Sequence, residues 1–165
     1  REVSVLRVEV QAGGEKRTTF DVCEAITCLL RFEVKESVDD LHFAMQVRTA
    51  LGQELVTSTS ADQNSNSRAL LPGTYEVSVD IPPFFLNVGG YELQVAPFVL
   101  GGRLLDHVTG IMFEVVNSSS SWVSAPYSGP RPGLTLRNWT WSVTHDTVVS
   151  DSPRQILDRE CPAAR

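Results

Sequence analysis

The sequence has no apolar run near the roughly 18 residues that a membrane-spanning helix needs, and no window repeats apolar residues at helical spacing. A transmembrane helix and a helical bundle are both excluded on that ground. Lys and Arg never gather into a patch and the formal net charge is −6, which argues against nucleic acid or an anionic membrane as the main partner. A neutral partner fits better. Cysteine is scarce, with only Cys23, Cys28 and Cys161. On one extended stretch Cys23 and Cys28 would stand about 16 Å apart, well beyond the roughly 7 Å limit for a disulfide. Free thiols are therefore expected, with Cys28 a small core residue, and an odd, unpaired set suits a reducing compartment.

Chemical motifs are missing too. There is no phosphate-cradling glycine loop with its Lys, no Cys or His pair at metal-ligand spacing and no nucleophile elbow. Asp106-His107 and His145-Asp146 are adjacent pairs, but neighbours on an extended chain point to opposite faces. They read as solvated loop residues. No catalytic residue, metal ligand or cofactor is expected. The chain opens at Arg1 with neither an initiator Met nor a signal-type apolar stretch, so it reads as a piece of a longer protein. Sequons at Asn117 and Asn138 would allow glycosylation only in a secreted chain.

What the sequence does have is period-two alternation, the mark of half-buried strands. "EVSVLRVEV" alternates with a slip between Val5 and Leu6 that predicts a bulge. In "TCLLRFEV" one face carries Cys28, Leu30, Phe32 and Val34. "LHFAMQVRTAL" sets Leu41, Phe43, Met45, Val47, Thr49 and Leu51 opposite His42, Ala44, Gln46, Arg48 and Ala50, and Gly52-Gln53 turns it into "ELVTS". Residues 59–73 read as a loop. "TYEVSVDI" follows with Tyr75, Val77, Val79 and Ile81 inward, stopped by Pro82-Pro83 because proline cannot donate to a ladder. Then come "GYELQVAPFVL", a glycine turn at Gly101-Gly102, "RLLDHV" and "GIMFEVV".

Seven or eight short strands with frequent turns describe an all-β protein, and Leu86-x-x-Gly89-x-Tyr91 identifies the type. That spacing before a strand is the tyrosine corner, where the Tyr hydroxyl bonds back to the chain upstream, and glycine eases the turn. Gly89 and Tyr91 are thus structural. The expected architecture is an immunoglobulin-like antiparallel β-sandwich over residues 1–116 with a C-terminal strand extension. In the immunoglobulin order the strands at 41–51, 91–100 and 110–116 share a sheet. Their outward side chains, His42, Ala44, Gln46, Arg48, Glu92, Gln94, Phe98, Met112 and Glu114, would form one open face. Planar hydrogen-bonding groups beside alanines make a shallow floor for a polar, neutral ligand such as a sugar. Of these, His42, Gln46, Arg48, Glu92, Gln94, Met112 and Glu114 are the candidate glycan contacts, weighed against the ordinary outward residues of a half-wet sheet.

Residues 117–145 begin with a Ser, Pro and Gly linker and reach "LTLRNWTWSV". There Arg137, Trp139 and Trp141 share a face suited to core packing, sugar stacking or docking on a second copy. Residues 146–165 read as a flexible tail.

Taken together, "GEKRTTFDVCEAITCLLRFEV", "FAMQVRTALGQELVTSTS", "LLPGTYEVSVDIPPFFLNVGGYELQVAPFV", "LLDHVTGIMFEVV" and "LTLRNWTW" resemble, over residues 2–143, the C-terminal carbohydrate-binding domain of the Wzt-type ATP-binding subunit of bacterial O-antigen polysaccharide ABC transporters. The resemblance implies a sandwich at the cytoplasmic face of the inner membrane that binds the non-reducing end of a polysaccharide. It also implies a homodimer with exchanged C-terminal strands, and contact with the membrane only through the transporter's transmembrane subunit. A structural or adhesive immunoglobulin-like domain of a secreted protein is the alternative.

Overall fold

The alternation resolves into ten strands, seen in a computed structural model that describes residues 1–62, 69–118 and 133–135. They are β1 (Val3–Ala12), β2 (Glu15–Lys16), β3 (Thr19–Asp21), β4 (Ile26–Val34), β5 (Leu41–Thr49), β6 (Glu54–Thr59), β7 (Gly73–Ile81), β8 (Gly89–Val99), β9 (Arg103–Leu104) and β10 (Val108–Val116). One sheet runs β2-β1-β4-β7; the other runs β3-β10-β8-β5-β6, with β9 attached to β8. The immunoglobulin-like sandwich read from the sequence is the fold. All pairings are antiparallel except β3 with β10, which is parallel. Among the described residues no helix is long and apolar enough to cross a membrane.

Each long strand buries alternate side chains. From the first sheet come Val3, Val10, Cys28, Leu30, Phe32 and Val34; from the second come Met45, Val47, Tyr91, Leu93, Val95, Phe113 and Val115. A fully buried Phe or Leu contributes about 1.5–3 kcal/mol, so the two inner faces hold the sheets together. Aromatic contacts join them further. Phe32 packs on Phe43 across the gap at 4.8 Å between ring centroids, and Tyr75 stacks on Phe32 at 5.7 Å.

The predicted slip in β1 is real, a register shift between Val5 and Arg7. Strand β7 stops at Ile81, before the two prolines. Strand β5 ends earlier than the alternation suggests: Leu51, expected inward, is 97% exposed in the turn, because Gly52 at φ 85° reverses the chain there.

The tyrosine corner also forms, with the Tyr91 hydroxyl donating to Asn87 O at 2.7 Å. Burial raises the pKa of that phenol, and the bond to Asn87 opposes the rise. A second corner accompanies it. Tyr75 Oη donates to Leu71 O at 2.8 Å, at the same four-residue reach and within the same spacing, Leu70-x-x-Gly73-x-Tyr75. Each sheet thus has one tyrosine staple at the start of a strand. Asn87 extends the first one, with Asn87 Nδ2 donating to Gly133 O at 2.6 Å and Asn87 N to Leu134 O at 3.2 Å. An antiparallel bridge joins Leu86 to Thr135 beside it.

Two expectations are corrected. Cys23 is disulfide-bonded rather than free. The distance argument excluded only its pairing with Cys28, which is indeed a free, buried thiol, its pKa pushed up to about 12 by burial. Asp106 is not a solvated loop residue. It pairs with Arg1 at 2.7 Å and accepts from the amides of Val5 at 2.9 Å and His107 at 3.0 Å. Burial works to raise its pKa, but those two amides and the Arg1 charge outweigh it and hold the carboxyl below its ordinary value. His145-Asp146 lies outside the described residues.

Candidate functional site

The strands at 41–49, 89–99 and 108–116 do share a sheet, and their register lays the outward side chains in rows. Directly paired residues share a face, and successive rows lie two residues, about 6.8 Å, apart along a strand. One row is Arg48, Glu92 and Met112. The next is Thr57, Gln46 and Gln94, followed by Thr59, Ala44 and Ala96. The last is His42, Phe98 and Leu104. At the opposite end Glu114 pairs with Gly90. There a Cβ added to Gly90 would stand only 3.2 Å from Ala50 Cβ, so the backbones come close and the floor stays low.

All seven candidate glycan contacts therefore stand on one face, but not at one depth. Met112 is 50% exposed and Glu114 is exposed, whereas Gln46, Arg48, Glu92 and Gln94 are half-buried. His42 is only 2% exposed. Its ring lies 5.7 Å from Phe98 and its Nε2 is 3.1 Å from Asp40 Oδ1, so it props the wall from below. Asp40 turns back to it at φ 58°, a left-handed conformation that Asp tolerates better than most residues.

The polar rows are internally bonded. Gln46 Nε2 reaches Thr57 Oγ1 at 3.3 Å, Arg48 Nη2 reaches Glu54 Oε1 at 3.1 Å, and Gln94 Nε2 reaches Glu92 Oε1 at 3.2 Å. A bulge in β10, between Val108 and Ile111, turns the Gly110 amide onto Glu92 Oε1 at 2.8 Å. Arg48 Nε is buried without a partner, a donor left over in the middle of the face. These bonds fix planar groups in place, which suits recognition of hydroxyls and amides.

One wall residue, Leu104, was not a candidate. It is 56% exposed and sits directly opposite Phe98, on a strand of two residues that shows no alternation. The glycine turn at 101–102 was the only signal for it. Arg137, Trp139 and Trp141 lie outside the described residues. Among the described residues no group of His, Cys, Asp and Glu could hold a metal ion.

A separate cavity of about 90 Å³ opens between the sheets where β6 and β7 form their edges, lined by Cys28, Leu30, Phe43, Met45, Val77 and Val79 among others. Ala44 and Thr59 of the third row also line it, with Ser58, Ser60 and Ser78.

Comparison with curated proteins gives no match. A solved structure titled "Crystal structure of the C-terminal domain of wzt" aligns with a TM-score of 0.67 and 14% sequence identity, over 87% of this chain and 84% of that one. At that identity the likeness speaks for the fold alone. The family described as the Wzt C-terminal domain matches residues 1–127. That match spans most of the chain and its whole sandwich, and the chain belongs to the Wzt C-terminal domain family.

Proposed function

We propose that this domain is a non-catalytic glycan reader that binds the non-reducing terminus of an O-antigen polysaccharide for export by an ABC transporter. The observation that carries the reading is the outward face of β6, β5, β8 and β10, where amides, one guanidinium and alanines lie in register beside an apolar wall. Family membership supports it. On this reading polysaccharide is the partner and no cofactor is needed. The domain sits at the cytoplasmic face of the inner membrane and meets the bilayer only through the transporter's transmembrane subunit. Two copies pair through the segment carrying Arg137, Trp139 and Trp141, which starts from the anchor that Asn87 gives Gly133 and Leu134.

Titration of the 165-residue chain with polysaccharide from the source organism tests the reading. A shallow sugar site has a micromolar to millimolar dissociation constant, about 4–8 kcal/mol. Arg48→Ala and Gln94→Ala are each expected to weaken it about tenfold, or roughly 1.4 kcal/mol. Unchanged binding in both variants would remove the face from consideration.

A second reading, an immunoglobulin-like structural or adhesive domain outside the cytoplasm, is favoured by the disulfide at Cys23, since such bonds persist mainly in oxidising compartments. Thiol titration of the denatured protein, prepared without reductant from its own cells, separates the two. Three free thiols support the cytoplasm and one supports the alternative.

A further inference from the structure

We infer that the face selects a neutral sugar bearing an acylated amine. The acetamido N–H would be received by Gln94 Oε1, and its methyl would be seated on the Ala44–Ala96 row against Phe98 and Leu104. The inference rests on the glycan reading above and specifies the ligand class of that same face.

The polar rows direct donors at one another, with Arg48 Nε left over. Gln94 Nε2 donates to the Glu92 carboxylate, and because a carboxylate only accepts, the orientation of the Gln94 amide is set. Among the described residues no donor meets its Oε1. Gln46 is arranged alike, its Nε2 directed at Thr57 Oγ1. The guanidinium of Arg48 is drawn toward Glu54. Beside the Arg48 Nε donor, the centre of the face thus offers a ligand the Gln94 and Gln46 carbonyls, and these call for N–H and O–H groups.

Charge narrows the class further. Among the described residues Glu54, Glu92 and Glu114 stand on or beside this face against one cation, Arg48. A uronate or phosphate on the sugar would meet like charge and few free donors. Neutral sugars meet neither penalty.

The next row explains why acylation matters. Ala44 and Ala96 lie directly opposite each other, one row beyond Gln46 and Gln94, and the row after them is Phe98 and Leu104. Outward alanine is a poor strand former, so two of them side by side on central strands give no local stability. They do leave a shallow trough, acceptors on one bank and apolar carbon on the other. An amide N–H held by Gln94 directs its methyl along the strand into that trough, about 6.8 Å from one row to the next. A plain hydroxyl would satisfy the acceptor and leave the apolar bank unused.

The test uses the full 165-residue chain and the methyl glycosides of N-acetylglucosamine, N-acetylgalactosamine, glucose, galactose and glucuronic acid. Affinity is followed by chemical-shift titration, and contact by saturation transfer to the ligand protons. The expected result is at least tenfold tighter binding of the two acetamido sugars than of their plain counterparts, with the acetyl methyl most strongly saturated and glucuronate weakest. Ala96→Leu should fill the trough and bring the affinity of the two acetamido sugars down to that of the plain ones. Gln94→Leu should remove the acceptor and weaken both kinds of sugar, the acetamido sugars the more, and either variant suffices if the other fails to fold. Equal affinity for acetamido and plain sugars, or tighter binding of glucuronate, overturns the inference while leaving glycan recognition in place. Failure of every sugar and of the source polysaccharide to bind would instead remove glycan recognition itself.

Discussion

The two sheets turn very different surfaces to water. Outward on the first stand Arg7, Arg31 and Glu76 in one row and Glu9 with Leu29 and Ser78 in the next. Glu9 is paired with Arg7, and with Lys16 at 2.6 Å. Outward on the second stand amides, alanines and an apolar wall. Both alternate equally well and both cover the same core. The difference lies in side-chain length. Long charged chains on the first sheet lie over its floor and keep it wet, whereas Ala44, Ala96 and Gly90 leave the second floor bare. Small residues are poor strand formers, so the second surface sacrifices local strand preference where the first does not. That asymmetry is what the proposed glycan reading rests on.

The largest expected effect comes from filling the bare floor. Ala96→Trp should weaken polysaccharide binding about a hundredfold, near 2.7 kcal/mol, while shifting folding stability by under about 1 kcal/mol. The matching change on the other sheet, Ser78→Trp, should leave binding unaltered. Calorimetric titration of both variants checks this, and equal losses would erase the distinction between the faces.

Next come the two tyrosine staples, one per sheet. Tyr91 is buried and Tyr75 only partly so. Tyr91→Phe would deprive the buried Asn87 carbonyl of this donor and should cost about 1–3 kcal/mol, whereas Tyr75→Phe, whose carbonyl can turn to water, should cost about 0.5–1 kcal/mol. Urea unfolding of both variants gives the order, and a larger loss for Tyr75 would reverse it.

Smaller still is the charged surface itself. Arg7→Ala should change stability by less than about 1 kcal/mol, since exposed ion pairs are weak, and should leave glycan binding intact. Thermal melts at low and high salt would show it.

Acid should act locally. Asp106 has a depressed pKa in the folded chain. Its stabilising contribution is therefore complete above its unfolded value and disappears as pH falls through the folded one. Protection of the Val5 and His107 amides, corrected for their intrinsic exchange rates, should fall on acidification below about pH 4, before the rest of β1 opens. Asp106→Asn should remove that pH dependence of protection in this range.

Much of this was readable in advance because alternation determines which side chains share a face. Cys28 through Val34 and the rows of β5 and β8 follow from counting by two. Depth does not follow from it. His42 occupies its row yet lies beneath Phe98, because burial there depends on what packs above, a long-range property. The Tyr91 staple was legible and the Tyr75 staple, with identical spacing, was equally so; Pro72 beside Gly73 reads first as a plain turn and hides it. Leu104 escaped because two residues carry no period. Cys23 escaped because a distance argument between near neighbours tests that one pairing alone. Asp106 looks like loop polarity until β1, about a hundred residues earlier in the chain, comes to rest beside it.

The irregularity in β1 has a consequence for sequence change. Ahead of it the odd-numbered residues Val3 and Val5 face inward; beyond it the even-numbered Val8, Val10 and Ala12 do. Leu6, 54% exposed, is the added unit that switches parity. Deleting one residue from a strand ordinarily turns its interior side outward, yet excision of Leu6 alone would restore unbroken counting with every valine still indoors. In this strand a frame of minus one is the tolerated length, and minus two is not.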